Sequence, residues 1–377
     1  MRTRTRRTAI AAVSALALVA AACGSDDESD SESDEAAEEA SDAADDDADE
    51  AVDEPDDAMD EEGEEAVEDD EAPDAGSPAL DPLRIGIVAP SASNDLAFSQ
   101  SIVDSVNRLD ESLVEEIAIT DGTFVVEDAA AAIRGYADDG FDLVIAHGSQ
   151  FGGPLEEIAP DFPETSFAWG TSSDTFGLDN VFAYTTRADE GGYVNGVMAA
   201  QLTESGTIGV VGPIEVGDAQ LYVDGFVAGA EATAPDVTVN VNYIESFSDV
   251  ALAAEAATAF VSNDADVLTG TAQMVVGATG VAVENDIPWF GTQSNQTDLG
   301  PDIVVSSQVY RWEVVLTEMI AAMGTGTPGG ESYTLTLSNG GLLMEFNEGF
   351  PLPDEVRASA DEAIAALTDG SLTTGIE

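Results

Sequence analysis

One histidine, one cysteine and no lysine limit the chemistry open to this 377-residue chain. Without lysine there is no P-loop lysine to hold phosphate, no Schiff base and no Ser-x-x-Lys nucleophile. The single histidine, His147, excludes a site with several histidine ligands. The single cysteine, Cys23, excludes an internal disulfide and a cysteine-cluster metal site. We therefore expect neither a metal nor another cofactor.

The sequence offers no distinct catalytic arrangement. Ser149 lies near His147, but the G-x-S-x-G spacing of a nucleophile elbow is missing around Gly148 and Ser149. The 76 acidic residues form so many potential carboxylate pairs that a glycoside hydrolase remains an alternative, although no particular pair is indicated. The residues therefore favour a protein that is not an enzyme.

Several residues that could contact a ligand follow predicted strands. His147 and Gly148 end an apolar run, so His147 is either a buried imidazole or a ligand contact. Trp169 likewise either packs in the core or lines a cleft. Ligands of open α/β sheets bind outside the carboxyl ends of the strands. The residues that we expect there on this basis are Ser91, His147, Gly148, Trp169, Thr271 and Gln273.

Strand and helix patterns alternate along the chain in two successive series. In the first series the predicted strands are 84–89, 115–120, 143–148, 166–169 and 181–185, and in the second they are 207–211, 238–243, 267–269, 289–291 and 303–307. Alternation of this kind predicts α/β architecture with parallel sheets. Two series predict two doubly wound lobes with a ligand cleft between them.

The predicted globular part, residues 81–377, is divided between these two lobes. We expect lobe 1 to contain about 81–187 and 308–337, and lobe 2 about 188–307 and 338–377. A chain of this length is large enough for two lobes, each with its own core.

The N-terminus has the pattern of an export signal. Arginines at four of the first seven positions precede an apolar stretch at 9–22, which is shorter than the roughly 20 residues needed to span a bilayer. The following Ala22-Cys23-Gly24 resembles a bacterial lipobox, with Ala20 where leucine is usual. We predict a lipoprotein signal peptide over 1–22 and a lipid anchor on Cys23 at the extracytoplasmic face of the cell membrane. The signal leaves Sec and Tat export open.

Acidic residues dominate both the following segment and the globular part. Residues 23–80 contain 29 of the 76 acidic residues and little to bury, which predicts a disordered tether. Residues 81–377 contain 47 acidic residues and six arginines, a formal charge of −41 (6 − 47). Self-repulsion at this charge destabilises a compact state, and molar salt screens it, so we predict adaptation to salt. Nucleic acid is excluded as a partner because no basic face could neutralise phosphates.

An ordered set of segments resembles the basic membrane lipoprotein (BMP) family, which comprises substrate-binding lipoproteins of ABC importers. The matching segments are IGIV at 85–88, NDLAFSQS at 94–101, DEGGYVNG at 189–196, YVDGFVAGA at 222–230, SFSD at 246–249 and IAALTDG at 364–370. The resemblance implies the type I periplasmic-binding-protein fold, a small-molecule solute and an ABC permease as partner. We also expect the protein to be a monomer.

The resemblance also implies roles for individual residues, because characterised family members bind purine nucleosides. Asn94 and Asp95 would meet the polar edge of the ligand, while Phe98 and Tyr222 would stack on its ring. For both aromatic residues, core packing is the alternative.

The family pattern breaks at the positions that hold the ribose. The family's G-x-D-x-D is GTQSN at 291–295 and its S-x-x-K is SQVY at 307–310, so Gln293 and Tyr310 replace an acid and a base. A glutamine amide both donates and accepts hydrogen bonds, whereas a carboxylate only accepts them. We therefore expect a small neutral solute, nucleoside-like or sugar-like, that contacts Gln293 and Tyr310. A sensory receptor domain that signals to a membrane kinase is the alternative to transport.

Overall fold

The computed structural model describes residues 81–376. The predicted signal peptide, Cys23 and the predicted tether lie outside the described residues. The strands are β1 (Leu83–Val88), β2 (Val114–Thr120), β3 (Leu143–His147), β4 (Ser166–Gly170), β5 (Val181–Thr186), β6 (Thr207–Gly212), β7 (Thr238–Tyr243), β8 (Val267–Gly270), β9 (Trp289–Gln293), β10 (Val304–Tyr310), β11 (Ser332–Leu335) and β12 (Leu342–Phe346). The helices are α1 (Phe98–Asn107), α2 (Val126–Asp138), α3 (Gly152–Ile158), α4 (Ala188–Leu202), α5 (Gly217–Thr233), α6 (Val250–Ser262), α7 (Val275–Glu284), α8 (Glu313–Gly324) and α9 (Asp354–Thr368).

The first sheet has the order β11-β5-β4-β3-β1-β2, and all its neighbouring strands are parallel. Helices cover both faces, so the strands bury side chains on both sides. In β3, Leu143 and Ile145 face the core that α1 and α8 complete, whereas Val144 and Ala146 face α2 and α3. The apolar run that predicted β3 is thus the result of burial on both faces.

The second sheet repeats this plan with the order β12-β10-β9-β8-β6-β7. Only β12 is antiparallel to its neighbour β10. Ile208 and Val210 of β6 pack towards α4, α5 and α9, while Val211 packs towards α6 and α7. The prediction of two α/β units with parallel sheets is therefore confirmed. None of the helices within 81–376 has the length and hydrophobicity that crossing a bilayer requires.

Helices α4 and α5 approach each other through glycines. A β-carbon at Gly192 or Gly196 would collide with the backbone of α5, and one at Gly225 or Gly229 would collide with the backbone of α4. The segments 189–196 and 222–230, which resembled the family, therefore form a close contact between two helices.

Within residues 81–376 the chain passes between the two sheets three times: after β5, after β10, and between β11 and β12. Hydrogen bonds join the crossings. The amide of Arg187 donates to Leu335 O (2.9 Å), the amide of Leu337 donates to the Glu190 carboxylate (2.7 Å), and the amide of Arg311 donates to Gly341 O (2.8 Å). The lobe boundary that we expected at 308 falls inside β10, which stays in the second sheet through Tyr310.

A cleft between the carboxyl ends of the two sheets

A cavity of about 40 Å³ lies between the lobes. Its walls come from loops and helix starts that follow strands of both sheets, as the topology requires for open α/β sheets. From the first lobe these are Pro90, Phe98, Phe124, Gly148, Ser149, Gln150 and Thr171, and from the second Val216, Gly217, Asp218, Ala219, Phe247, Ala272, Gln273 and Gln293. The cavity has room for roughly three water molecules. Entry of a larger solute therefore requires the lobes to separate.

Three hydrogen bonds cross the cleft directly. Thr171 Oγ1 donates to Asp218 Oδ1 (3.3 Å), and Ser294 Oγ donates to Ala97 O (2.8 Å). In the third, the side-chain nitrogen Nε2 of Gln296 donates to Leu96 O (3.3 Å). The two lobes are therefore in contact, and the structure represents a closed arrangement.

Asp218, which the sequence did not single out, is the acidic residue of the cavity wall. It lies in the first turn of α5 and is only 8% exposed. Burial raises the pKa of its carboxyl group, while hydrogen bonds from Tyr310, Thr171 and Gln293 act in the opposite direction. Each of the six arginines in residues 81–376 forms an ion pair with another acidic residue, so none neutralises Asp218.

Three further polar atoms near Asp218 are buried without a hydrogen-bond partner among the described residues: Gln273 Oε1, Gln293 Oε1 and Thr271 Oγ1. A buried polar atom left unpaired costs about 1–3 kcal/mol. Gln293 and Ala272 also adopt left-handed backbone conformations, each with φ 73°, which are unfavourable for residues other than glycine. Unpaired acceptors and strained backbone at one place are typical of a binding site.

Aromatic rings form much of the rest of the wall, and a buried histidine supports one of them. The Phe98 ring stacks on His147, with ring centroids 3.9 Å apart. His147 Nε2 lies 3.2 Å from Phe98 O and Nδ1 lies 2.8 Å from the Tyr184 hydroxyl. Because a carbonyl only accepts, Nε2 donates and Nδ1 accepts. Burial lowers the pKa of His147 to about 3, so the imidazole is neutral. Of its two interpretations, the structure supports the buried imidazole.

Four of the predicted ligand residues line the cavity: Phe98, Gly148, Gln273 and Gln293. Trp169 lies behind this wall, where Nε1 donates to Gly148 O (3.1 Å) and the ring stacks on Phe176. Thr271 is buried next to the wall but does not line it.

Asn94, Asp95 and Ser91 do not line the cavity. Asp95 accepts from the amides of Ser99 and Gln100 at the start of α1, and Ser91 donates to the same carboxylate. Asn94 is exposed. The carboxylate expected at the ligand is thus used to begin a helix.

The two tyrosines of the predicted set are also outside the cavity lining. Tyr222 is fully buried, and its hydroxyl lies 2.7 Å from Thr269 Oγ1 and accepts from the Asn195 amide (3.1 Å). Its ring therefore packs between α5 and the second sheet, and not on a ligand. Tyr310 is buried as well, and its hydroxyl donates to Asp218 Oδ2 (3.3 Å). Tyr310 thus reaches the site only through Asp218.

Sequence reasoning missed Asp218, Thr171, Phe124, Phe247 and Gln150. Asp218 and Thr171 each follow a strand end, which is the same signal that identified Gly148 and Gln273. Phe247 was noted only within the SFSD segment. No group of three or more acidic, cysteine or histidine residues within 81–376 is arranged to hold a metal ion.

Two α/β lobes that enclose a cavity at the carboxyl ends of their strands, joined by three crossings, define a bilobed solute-binding protein. The sequence model of the family described as "ABC transporter substrate-binding protein PnrA-like" (Bmp) matches residues 83–364. The chain belongs to this family, which confirms the resemblance. Substrate-binding proteins of this kind deliver small solutes to an ABC permease from outside the cytoplasm.

Individual relatives agree with this assignment. The chain is 27% identical to a purine-binding protein of Brucella abortus over 78% of this chain and 83% of that protein. It is 22% identical to a putative ABC transporter glucose-binding protein of Haloferax volcanii, over 78% and 76% of the two chains. An ABC transporter solute-binding protein of Conexibacter woesei has the same fold, with a TM-score of 0.65 and 24% identity over 77% of this chain and 98% of that one.

Proposed function

We propose that this protein binds a small neutral solute, nucleoside-like or sugar-like, between its lobes and delivers it as a monomer to an ABC permease. The observation that carries the proposal is the lining of the cavity, which has the Phe98 ring on one side and the acceptors of Asp218, Gln273 and Gln293 on the other. A solute of this size fits between these walls only when the lobes lie further apart than in this structure. A ring that stacks on an apolar face and acceptors that meet hydroxyl or amino groups suit either ligand class.

Charge supports the neutral character of the solute. No lysine occurs in the chain, and the arginines of residues 81–376 are all paired elsewhere. An anionic solute would lie beside Asp218 with no cation to stabilise it. The names of two relatives, a purine-binding and a putative glucose-binding protein, include both proposed ligand classes.

Isothermal titration calorimetry with purine nucleosides, neutral pyranoses and the matching nucleotides tests this function. We expect at least one nucleoside or sugar to bind and its phosphorylated form to bind at least about tenfold more weakly. Phe98→Leu should weaken binding, whereas Phe162→Leu, at a half-buried position outside the cavity lining, should not. Absence of binding across the panel, or release of a cleaved sugar, would contradict the proposal.

Lipid anchoring through Cys23 is the second part of the proposed function. It is supported by the basic and apolar segments before Cys23 and by the acidic segment 24–80, which would hold the lobes away from the membrane. Cys23→Ala should move the protein from the membrane fraction to the soluble fraction, whereas Ser25→Ala should not. Intact-mass spectrometry of the membrane-extracted protein should show a diacylglyceryl cysteine as its first residue, and an unmodified Cys23 would contradict the anchor.

Salt adaptation is the third part. The formal charge of −41 over residues 81–377 supports it, because only a high ionic strength screens repulsion between so many carboxylates.

A further inference from the structure

We propose that Asp218 is the main polar anchor of the ligand, and that it selects solutes presenting two adjacent hydrogen-bond donors. The donors are either the vicinal hydroxyls of a sugar or ribose, or the N–H and NH₂ groups of a guanine-like base edge. The inference rests on the proposed function, since it concerns the same cavity, and it identifies the chemistry by which that cavity discriminates among neutral solutes.

The position of Asp218 leaves its carboxylate available to a ligand. Tyr310 and Thr171 hold one oxygen each at 3.3 Å, which is long for a hydroxyl bonded to a carboxylate, and the Gln293 side chain is a third donor. A carboxylate offers about four acceptor sites, so both oxygens can accept further bonds. Two oxygens fixed side by side match two donors on adjacent ligand atoms.

The charge of Asp218 is stabilised by the helix on which it lies. Asp218 occupies the first turn of the 17-residue helix α5, where the helix dipole favours a negative charge. Among the cavity-lining residues none is lysine, arginine or histidine. The carboxylate therefore has no cation in the wall, and donors on the ligand are its remaining means of stabilisation.

The neighbouring glutamines support the same inference independently. Gln273 and Gln293 line the cavity, and the carbonyl oxygen of each amide is buried without a partner among the described residues. Together with Asp218 they form a wall of acceptors. A ligand rich in O–H or N–H groups satisfies this wall, whereas a ligand whose polar groups only accept leaves every one of these atoms unpaired.

Calorimetry with matched probes separates the two donor sources. Adenosine is compared with 2′-deoxyadenosine, glucose with 2-deoxyglucose, and guanosine with inosine, each titrated into the wild-type full chain. Removal of one donor of the recognised pair should lower affinity by about 10–100-fold. A loss of affinity when the 2′-hydroxyl of adenosine or the 2-hydroxyl of glucose is removed shows that the protein recognises a vicinal diol. A loss of affinity from guanosine to inosine shows that it recognises a base edge.

The same titrations with Asp218→Asn show whether Asp218 accepts the hydrogen bonds from the two adjacent donors of the ligand. This variant should bind the preferred probe about 10–100-fold more weakly and should discriminate little between that probe and its donor-deleted partner, as in a double-mutant cycle. The matched control is Glu215→Gln, which removes an exposed charge three residues away and should bind as the wild type does.

Each result supports or overturns the inference. Equal affinity of the wild type for every donor-deleted pair overturns it, and this comparison needs no variant that might fold poorly. Asp218→Asn that keeps the wild-type discrimination also overturns it, while the proposed function stands. If the wild type binds none of the probes, both the inference and the proposed function are wrong.

Discussion

Thr171 on one lobe donates a hydrogen bond to Asp218 on the other, with 3.3 Å between Oγ1 and Oδ1. The same carboxylate lines the cavity and accepts from Tyr310. Closure of the lobes and the polar wall of the site therefore depend on one side chain. A ligand that contacts Asp218 acts directly on a bond that joins the lobes.

Removal of the Thr171 hydroxyl should shift the protein towards an open form. Thr171→Val deletes one hydrogen bond across the cleft that, because it is long (3.3 Å), stabilises the closed form by only about 0.5–1.5 kcal/mol. The open population should rise by roughly 2–10-fold. Small-angle scattering of the unliganded protein should show a larger radius of gyration.

The matched control for this experiment is Thr175→Val, in the same loop but outside the cavity lining. It should leave the scattering curve unchanged. An identical radius of gyration for wild type and Thr171→Val would show that the bond does not govern closure.

His147 should make the folded state sensitive to mild acid. Burial lowers its pKa to about 3, below the ordinary value of 6.5 that applies to the unfolded chain. Below pH 6.5 only the unfolded chain takes up this proton, so the contribution of His147 is complete above pH 6.5 and is lost as the pH falls towards 3. Between pH 7 and pH 5 this loss is about 2 kcal/mol in the free energy of unfolding.

Urea denaturation at several pH values, compared between wild type and His147→Gln, isolates this contribution. The glutamine side chain is also neutral and polar but does not titrate. Burial raises the pKa of Asp218, Glu190 and Asp224, and this opposes the histidine effect equally in both proteins. Parallel pH profiles for the two proteins would refute the prediction.

The glycines between α4 and α5 should not tolerate a methyl group. Gly196→Ala places a β-carbon against the backbone of Phe226 and Ala230, which cannot move aside as a side chain can. We expect a loss of about 1–3 kcal/mol in the free energy of unfolding. Gly280→Ala, at an exposed position inside α7 with no atom near the new methyl group, should instead stabilise by about 0.5–1 kcal/mol. If urea denaturation gave similar changes in the free energy of unfolding for both substitutions, the close packing of α4 against α5 would be contradicted.

Salt should stabilise the protein through screening. Raising NaCl from about 0.1 M to about 1 M shortens the screening length from about 10 Å to about 3 Å and so weakens repulsion within the −41 charge. We expect the melting temperature to rise by at least about 5 °C. An osmotically matched addition of sucrose is the control, because it favours the compact state without screening charge. An equal rise in melting temperature with sucrose and with NaCl would show that charge screening is not the cause.

The sheets were largely predictable because buried parallel strands are short apolar runs in the sequence. The predicted strand 143–148 corresponds to β3, and 207–211 to β6. The edge strands β11 and β12 were not predicted, because polar residues such as Ser332, Thr334 and Glu345 interrupt their apolar pattern. The other two edge strands, β2 and β7, were predicted as 115–120 and 238–243, so an edge strand is missed where polar residues break a short apolar run.

The site was less predictable because strand-end position does not reveal which way a side chain points. Tyr222 and Asp218 lie one turn apart on α5, yet only Asp218 lines the cavity, while Tyr222 packs under the helix. Family motifs added little here, since 189–196 and 222–230 form a contact between two helices and not a contact with a ligand.

The three hydrogen-bonded crossings restrict how the lobes can move. Sliding of one lobe along the other would stretch all three chain segments at once, whereas rotation about them only bends a few backbone torsions. The easiest motion of the molecule is therefore a rotation that changes the angle between the two lobes. We expect occupancy of the cleft to set that angle, so that a membrane partner could recognise the occupied form from the spacing of two distant surfaces without contacting the solute.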